Sequence, residues 1–410
     1  MKKIKILFLA IIISTFFASC DKNETHSPHI PDINLNLKEQ SLVNSSNKFG
    51  FDLFIETNKS EEQSKNIFVS PLSVSFALAM TYNGADNETK TAMENALRLN
   101  GLTADEINSS FKNIMNSFIG LDPKVTLDIA NSIWYRENFL VEQNFIDINK
   151  NYYNAEVNAL DFASPQALDI INNWVATNTN NKIKTIIDKL SEQTVMILIN
   201  AIYFKGNWKY KFEKADTDTK PFYMADGTTK NVLMMQQEGD FNCMSNELFK
   251  AIELPYGDEK FSMLIMLPNQ DKTTNDIINE LSDNNWNDWL NSFEKTKSLN
   301  VIIPKFKYKY DKELNNILKI MGMEIAFSAG ANFSKINPLE SLFISKVIHK
   351  TYVDVNEEGT EAAAVTAVVM DNCIGPANMF NANKPFVFAI KEKSTNSIIF
   401  IGRLANPEYE

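Results

Sequence analysis

A mixed α+β fold is predicted by two patterns and by their order along the chain. Apolar residues at helical spacing dominate the first 190 residues, and apolar runs of strand length gather beyond them. The chain has 410 residues, 44% of them hydrophobic, enough to bury a large core. No Gly/Ser/Pro-rich linker, charge run or internal repeat divides its body.

Phe51, Phe54 and Ile55 stand at helical spacing, and a second helix begins at Ser70 with Pro71 in its first turn. There the missing N–H of proline costs nothing, so these two helices predict a buried spine. Alternation of Val125, Leu127 and Ile129 predicts a half-buried strand, and a helix follows around Ile170 to Asn180. The run Val195 to Ile199, continued by Ala201 and Ile202, predicts a strand covered on both faces and therefore central. Further strands are predicted at Phe261 to Leu267, Val301 to Phe306, Phe386 to Ile390 and Ile398 to Ile401.

The one break in composition comes early. Ile6 to Ala18, behind Lys2, Lys3 and Lys5, has the basic start and short apolar middle of an export signal and is short for a membrane span. It ends Phe17-Ala18-Ser19-Cys20, which resembles a bacterial lipobox, where the Cys is acylated after cleavage; Phe17 departs from the usual aliphatic residue. The predicted organisation is a lipoprotein signal peptide at 1–19, a flexible tether at 20–39 and a folded body at 40–410, held by lipid on Cys20 to the bacterial cell envelope. The alternative is a secreted protein in which Cys20 is an ordinary residue. Losing residues 1–19 removes three Lys and no acid, so the net charge goes from −11 to −14, a poor basis for binding nucleic acid.

Catalytic groups are scarce. The chain has three His, at 26, 29 and 349, so the body offers one imidazole base, with no nucleophile elbow or zinc-helix motif beside it. The 13 Gly are scattered singly, without a phosphate-binding loop, and Cys20, Cys243 and Cys373 do not make a disulfide framework. The adjacent acids Glu357 and Glu358 read as a solvated turn. No enzyme, cofactor or metal site is predicted.

The most informative stretch is Glu357-Glu358-Gly359-Thr360-Glu361-Ala362-Ala363-Ala364-Val365-Thr366-Ala367-Val368-Val369-Met370. Thr360, Ala362, Ala364 and Thr366 are small and alternate, so one face of such a strand could lie on a packed core without displacing it. Gly359 frees the preceding turn to reverse. Val and Thr favour a strand, whereas Ala and the Glu pair leave a helix or an Ala-rich linker open.

Several motifs stand in order around this segment. They are Asn66-Ile67-Phe68-Val69-Ser70-Pro71-Leu72-Ser73, Asn200-Ala201-Ile202-Tyr203-Phe204-Lys205-Gly206-Asn207-Trp208, His349-Lys350, and Asn383-Lys384-Pro385-Phe386 running into Phe400-Ile401-Gly402-Arg403-Leu404-Ala405-Asn406-Pro407. Over about residues 40 to 410 the chain resembles the serpins, the serine protease inhibitors. The resemblance implies one domain, a fold of three β-sheets with about eight or nine helices, and an exposed reactive-centre loop. It also implies a shutter cluster of Ser70, Ser73, Asn200 and His349 beneath the central sheet. Trp208 would mark the breach where the loop enters, with plain core packing as its alternative, and Glu357, Gly359, Thr360, Glu361, Ala362, Ala363 and Ala364 would form the hinge. Cys243, placed after a strand, and Cys373, in the loop, are expected free.

As activity the resemblance implies suicide inhibition: a peptidase cuts the loop, is held as an acyl-enzyme, and is carried away as the loop inserts into the central sheet. Counting from Glu357 puts the reactive bond between Cys373 and Ile374; counting back from Asn383 puts it after Ile374. No Lys or Arg lies between Gly359 and Asn383, against trypsin-like targets. An elastase-like serine peptidase is the first expectation and a papain-like cysteine peptidase the second, with Met370 or Val369 serving another target. The expected inhibitor is a monomer. The rivals are a non-inhibitory serpin acting as a binding protein and, remotely, a surface lipoprotein enzyme or glycan binder.

Overall fold

A computed structural model of the chain describes residues 30–190, 194–360 and 378–409. Helix α1 (Leu37–Lys59) opens with a capping box: Asn36 accepts the Lys38 and Glu39 N–H groups, and the Glu39 carboxylate accepts the Asn36 N–H in return. Strand β1 (Ile67–Val69) leads to α2 (Pro71–Tyr82), capped by Ser70, with Pro71 in its first turn as its sequence predicts. Almost every side of α2 is buried, so it is the spine against which α1 packs. Helices α3 (Asn87–Ala96) and α4 (Ala104–Phe118) come next, then β2 (Val125–Arg136), α5 (Gln143–Tyr153), β3 (Glu156–Leu160), α6 (Ala167–Asn178) and β4 (Met196–Asn207).

The second half is mostly strand. It runs through β5 (Asp218–Tyr223), β6 (Thr229–Ser245), β7 (Phe249–Pro255), β8 (Phe261–Pro268), α7 (Thr274–Asn279), α8 (Asp283–Asn291), β9 (Glu294–Pro304), β10 (Phe306–Glu313) and α9 (Asn315–Leu318). It ends with β11 (Ile348–Asn356), β12 (Gly359–Thr360), β13 (Met379–Asn381), β14 (Phe386–Glu392) and β15 (Ile398–Leu404). The predicted α+β class holds, with nine α-helices among the described residues.

The strands differ from the expected three sheets. Among the described residues they form two, a nine-stranded sheet in the order β1-β15-β14-β8-β7-β6-β9-β13 with β5 on β6, and a six-stranded sheet in the order β10-β11-β12-β4-β2-β3. The 17-residue strand β6 causes the merger. It pairs with β5 at its start, with β7 at its end and with β9 between, bending where its register slips between Gly239 and Phe241.

Strand β4 is central in its sheet, as predicted, but its first half is less covered than expected. Met196, Ile197 and Leu198 are half-buried, and full burial begins at Ile199. Helix α6 explains the boundary: Ile171 and Val175 pack with Trp134 and Ile199 in a small core of their own, separate from the large core. Cys243 lies within β6 rather than after a strand; it is a free, half-buried thiol, pushed up by burial against a weaker opposing bond from Thr296.

A strand-accepting site in the six-stranded sheet

The two-residue strand β12 is the whole link between β11 and β4 among the described residues. Thr360 pairs with Val355 on one side and Gly206 on the other, and Gly359 pairs with Asn356 and Asn207. Below this point β11 pairs with β10 and β4 pairs with β2, and among the described residues no pairing joins β11 to β4 directly.

Gly359 is required where it stands. Its φ is +148°, and a Cβ there would fall 2.1 Å from the Gly206 carbonyl oxygen and 2.7 Å from Asn207 Cα. Thr360 is buried, its hydroxyl 2.8 Å from the Tyr256 hydroxyl. Burial pushes the Tyr256 phenol up, and the Thr360 bond offsets this only in part. Trp208 stacks on Tyr256 with ring centres 4.5 Å apart and planes 9° from parallel. Its Nε1–H donates to the Asn356 carbonyl at 2.9 Å, and its backbone N–H to the Glu358 carbonyl at 3.0 Å. So Trp208 is both packed and bonded to the turn that leads into β12.

Glu357 and Glu358 are not a solvated turn; both are buried and paired. Glu357 lies 2.9 Å from Lys305 and accepts from the Thr217 hydroxyl at 2.9 Å, while Glu358 lies 2.9 Å from Lys211 and 3.2 Å from Lys214. Burial pushes each carboxyl up, but these lysines prevail and hold both below the usual carboxylate range. Sequence reading missed Lys305, Lys211, Lys214 and Tyr256, because nothing local in the chain places them opposite the hinge.

The four shutter residues fall into two groups. His349 Nε2 accepts the Ser70 N–H at 3.0 Å; the Ser70 hydroxyl donates to the Ile399 carbonyl at 2.7 Å and accepts the Ser73 N–H at 3.2 Å. Burial drives the imidazole down to about 4, so it is neutral at physiological pH and carries its proton on Nδ1. Asn200 is not bonded to this group. Its amide donates to Asn131 Oδ1 at 2.7 Å, Asn131 donates to the Tyr153 carbonyl at 2.6 Å, and Asn200 Oδ1 is buried without a partner among the described residues. Cys20, Glu361, Ala362, Ala363, Ala364, Cys373 and Ile374 lie outside the described residues, as do the expected signal peptide and the expected reactive bond.

Among the described residues, the six-stranded sheet joins β11 to β4 only through the short strand β12. The chain belongs to the serpin family: the model of that family, serpin (serine protease inhibitor), matches residues 44–407. An uncharacterized serpin-like protein of Methanosarcina mazei is 34% identical, the match covering 100% of this chain and 99% of that one. The native state of tengpin, a thermophilic serpin, matches with a TM-score of 0.82 and 34% identity over 92% of this chain and 96% of that one. Human thyroxine-binding globulin matches with a TM-score of 0.82 and 27% identity over 91% of this chain and 100% of that one.

Proposed function

We propose that this serpin is a suicide-substrate inhibitor of a peptidase, and that the segment beginning at Thr360 is the strand its six-stranded sheet takes up. The seating of β12 carries this reading, because a strand already started between β11 and β4 needs only to continue in register. The peptidase nucleophile attacks the carbonyl before the reactive bond, the new amine leaves with the C-terminal fragment, and the acyl-enzyme remains on the inserting segment. The chain contributes no catalytic group. It contributes a conformational change that must outrun deacylation.

The reactive bond is Cys373–Ile374, an apolar pair suited to an elastase-like serine peptidase first and a papain-like cysteine peptidase second. The inhibitor acts as a monomer, exported and held to the cell envelope by lipid on Cys20. A panel of peptidases scored for complexes that survive denaturing electrophoresis tests the function, and cleavage without a trapped complex for every enzyme overturns it. That outcome would favour the second reading, a non-inhibitory binding protein, which draws on the likeness to thyroxine-binding globulin. The small hinge side chains speak for trapping, since bulky or charged ones would resist burial.

A further inference from the structure

A cleft opens between α6 and β2, away from the seat of β12 between β11 and β4. One wall is a single face of α6, where Ile170, Asn173, Trp174 and Thr177 are set at helical spacing, and Ile129, Ala130 and Trp134 of β2 form the floor. Its volume is about 570 Å³, within the roughly 300–1,000 Å³ of small-ligand sites. The neighbouring stripe of α6, Ile171 and Val175, is buried in the small core, yet Ile170 is left 41% exposed and Trp174 only half-buried. Trp174 is also held in place: its Nε1–H donates to Glu156 at 2.7 Å, and its ring meets Trp134 edge-on at 6.4 Å. Folding alone does not account for an apolar strip left on the wall of an open cleft.

The lining excludes most ligand classes. No Lys, Arg or His faces the cleft, so nothing there would hold a phosphate or a carboxylate. Its one acid, Glu156, already accepts from Trp174 and from the Asn158 amide, which leaves little for a cation. The floor strand β2 is paired with β4 along one edge and with β3 from Ser132 to Arg136 on the other, so beside the cleft an extended peptide would find backbone to pair with only around Ile129 and Ala130. What remains are side-chain amides and hydroxyls beside an indole. Asn154, Asn173 and Thr177 are exposed and bonded to no other side chain among the described residues, and each both donates and accepts. A ligand that offers hydroxyls at its rim and an apolar ring face fits this set.

We infer that the cleft binds a neutral saccharide, with a pyranose face on the Ile170–Trp174 strip and ring hydroxyls on Asn154, Asn173 and Thr177. The ligand would bridge α6 to β2. Its binding is read without a peptidase, so the inference is tested apart from the inhibitory reading.

The test titrates the protein with chitotriose, maltotriose and cellotriose at millimolar concentrations, following tryptophan fluorescence, and screens it on an array of neutral glycans. Saturable binding of at least one glycan is expected, together with a rise in melting temperature, because a ligand of the folded state stabilises it by mass action. Asn173→Lys puts a long side chain into the cleft from an exposed helical position that tolerates Lys, and should weaken binding at least tenfold with the melting temperature unchanged. Trp174→Ala should abolish binding, and Trp174→Phe, which keeps a ring, should restore part of it. Absence of binding to every glycan overturns the inference, as does binding that Asn173→Lys and Trp174→Ala leave intact.

Discussion

The hydroxyls of Thr360 and Tyr256 meet at 2.8 Å inside the core, and Trp208 stacks on the Tyr256 ring. Thr360, the second residue of β12, is thus met by a side chain that follows β7, 104 positions away in the chain. A bulky or charged group at 360 would displace that contact and remain buried without a partner.

Thr360→Arg is expected to turn the inhibitor into a substrate. The guanidinium slows insertion, so the bound peptidase deacylates first; cleavage should persist while the trapped complex disappears from denaturing gels. Trapping at the parental level would remove the hinge from the mechanism.

Loop cleavage is expected to raise the melting temperature sharply, because on the proposed function the segment from Thr360 then adds a full strand between β11 and β4. Melting curves of intact and nicked protein give the answer, and coincident midpoints would contradict insertion.

Lys305→Met should leave the buried Glu357 carboxylate short of its cation. Breaking a buried pair from one side costs up to roughly 3–5 kcal/mol. The expected result is a lower melting temperature and faster spontaneous loss of inhibitory activity on warming, read by residual trapping. The Lys305→Met, Glu357→Met double variant should recover much of the melting temperature.

His349 gives the protein an acid limit. Its imidazole is neutral in the fold at pH 7 and falls from an ordinary 6.5 to about 4 through burial. A depressed histidine gives stability that is complete above pH 6.5 and lost as pH falls toward 4, since the unfolded chain takes up the proton first. The loss from this one group is on the order of 3 kcal/mol. Melting temperature should fall as pH is lowered through that window, and His349→Ala should flatten the slope while lowering stability at pH 7 by about 1–3 kcal/mol through the orphaned Ser70 N–H. An unchanged slope in the variant would move the acid sensitivity elsewhere.

Cys373→Arg is expected to shift trapping from elastase-like to trypsin-like enzymes with the hinge untouched. Mass spectrometry of the released fragment should find Ile374 at its N-terminus in the parent. A fragment starting at Gly375 would move the bond by one residue.

Much of the architecture was legible because its signals are local. The Ser70 cap, the Pro71 start and the alternation from Val125 are each set by a few adjacent residues, and α2 and β2 lie where they point. The turn at Gly359 was legible for a similar reason, since only Gly tolerates that position and the next residue is buried. Relations set by the tertiary fold were not. Lys305 meets Glu357 across 52 residues, Asn200 turns to Asn131 rather than to His349, and β6 joins β5, β7 and β9 in one sheet by bending at Gly239. Such pairings arise when strands dock, and no window of sequence contains both partners.

The seating of β12 has a kinetic meaning. Bringing a flexible segment to the mouth of a narrow groove is an entropic search, and it is ordinarily the slow part of any zipping process. Here the slider of the zip is already engaged before an enzyme arrives, held by two backbone partners and two ionic clasps. On the proposed function, cleavage leaves elongation alone to be completed. The half-life of the acyl bond then competes with the growth of a single existing strand, and the inhibitor's efficiency becomes a property of how smoothly each successive residue slides past the one before it.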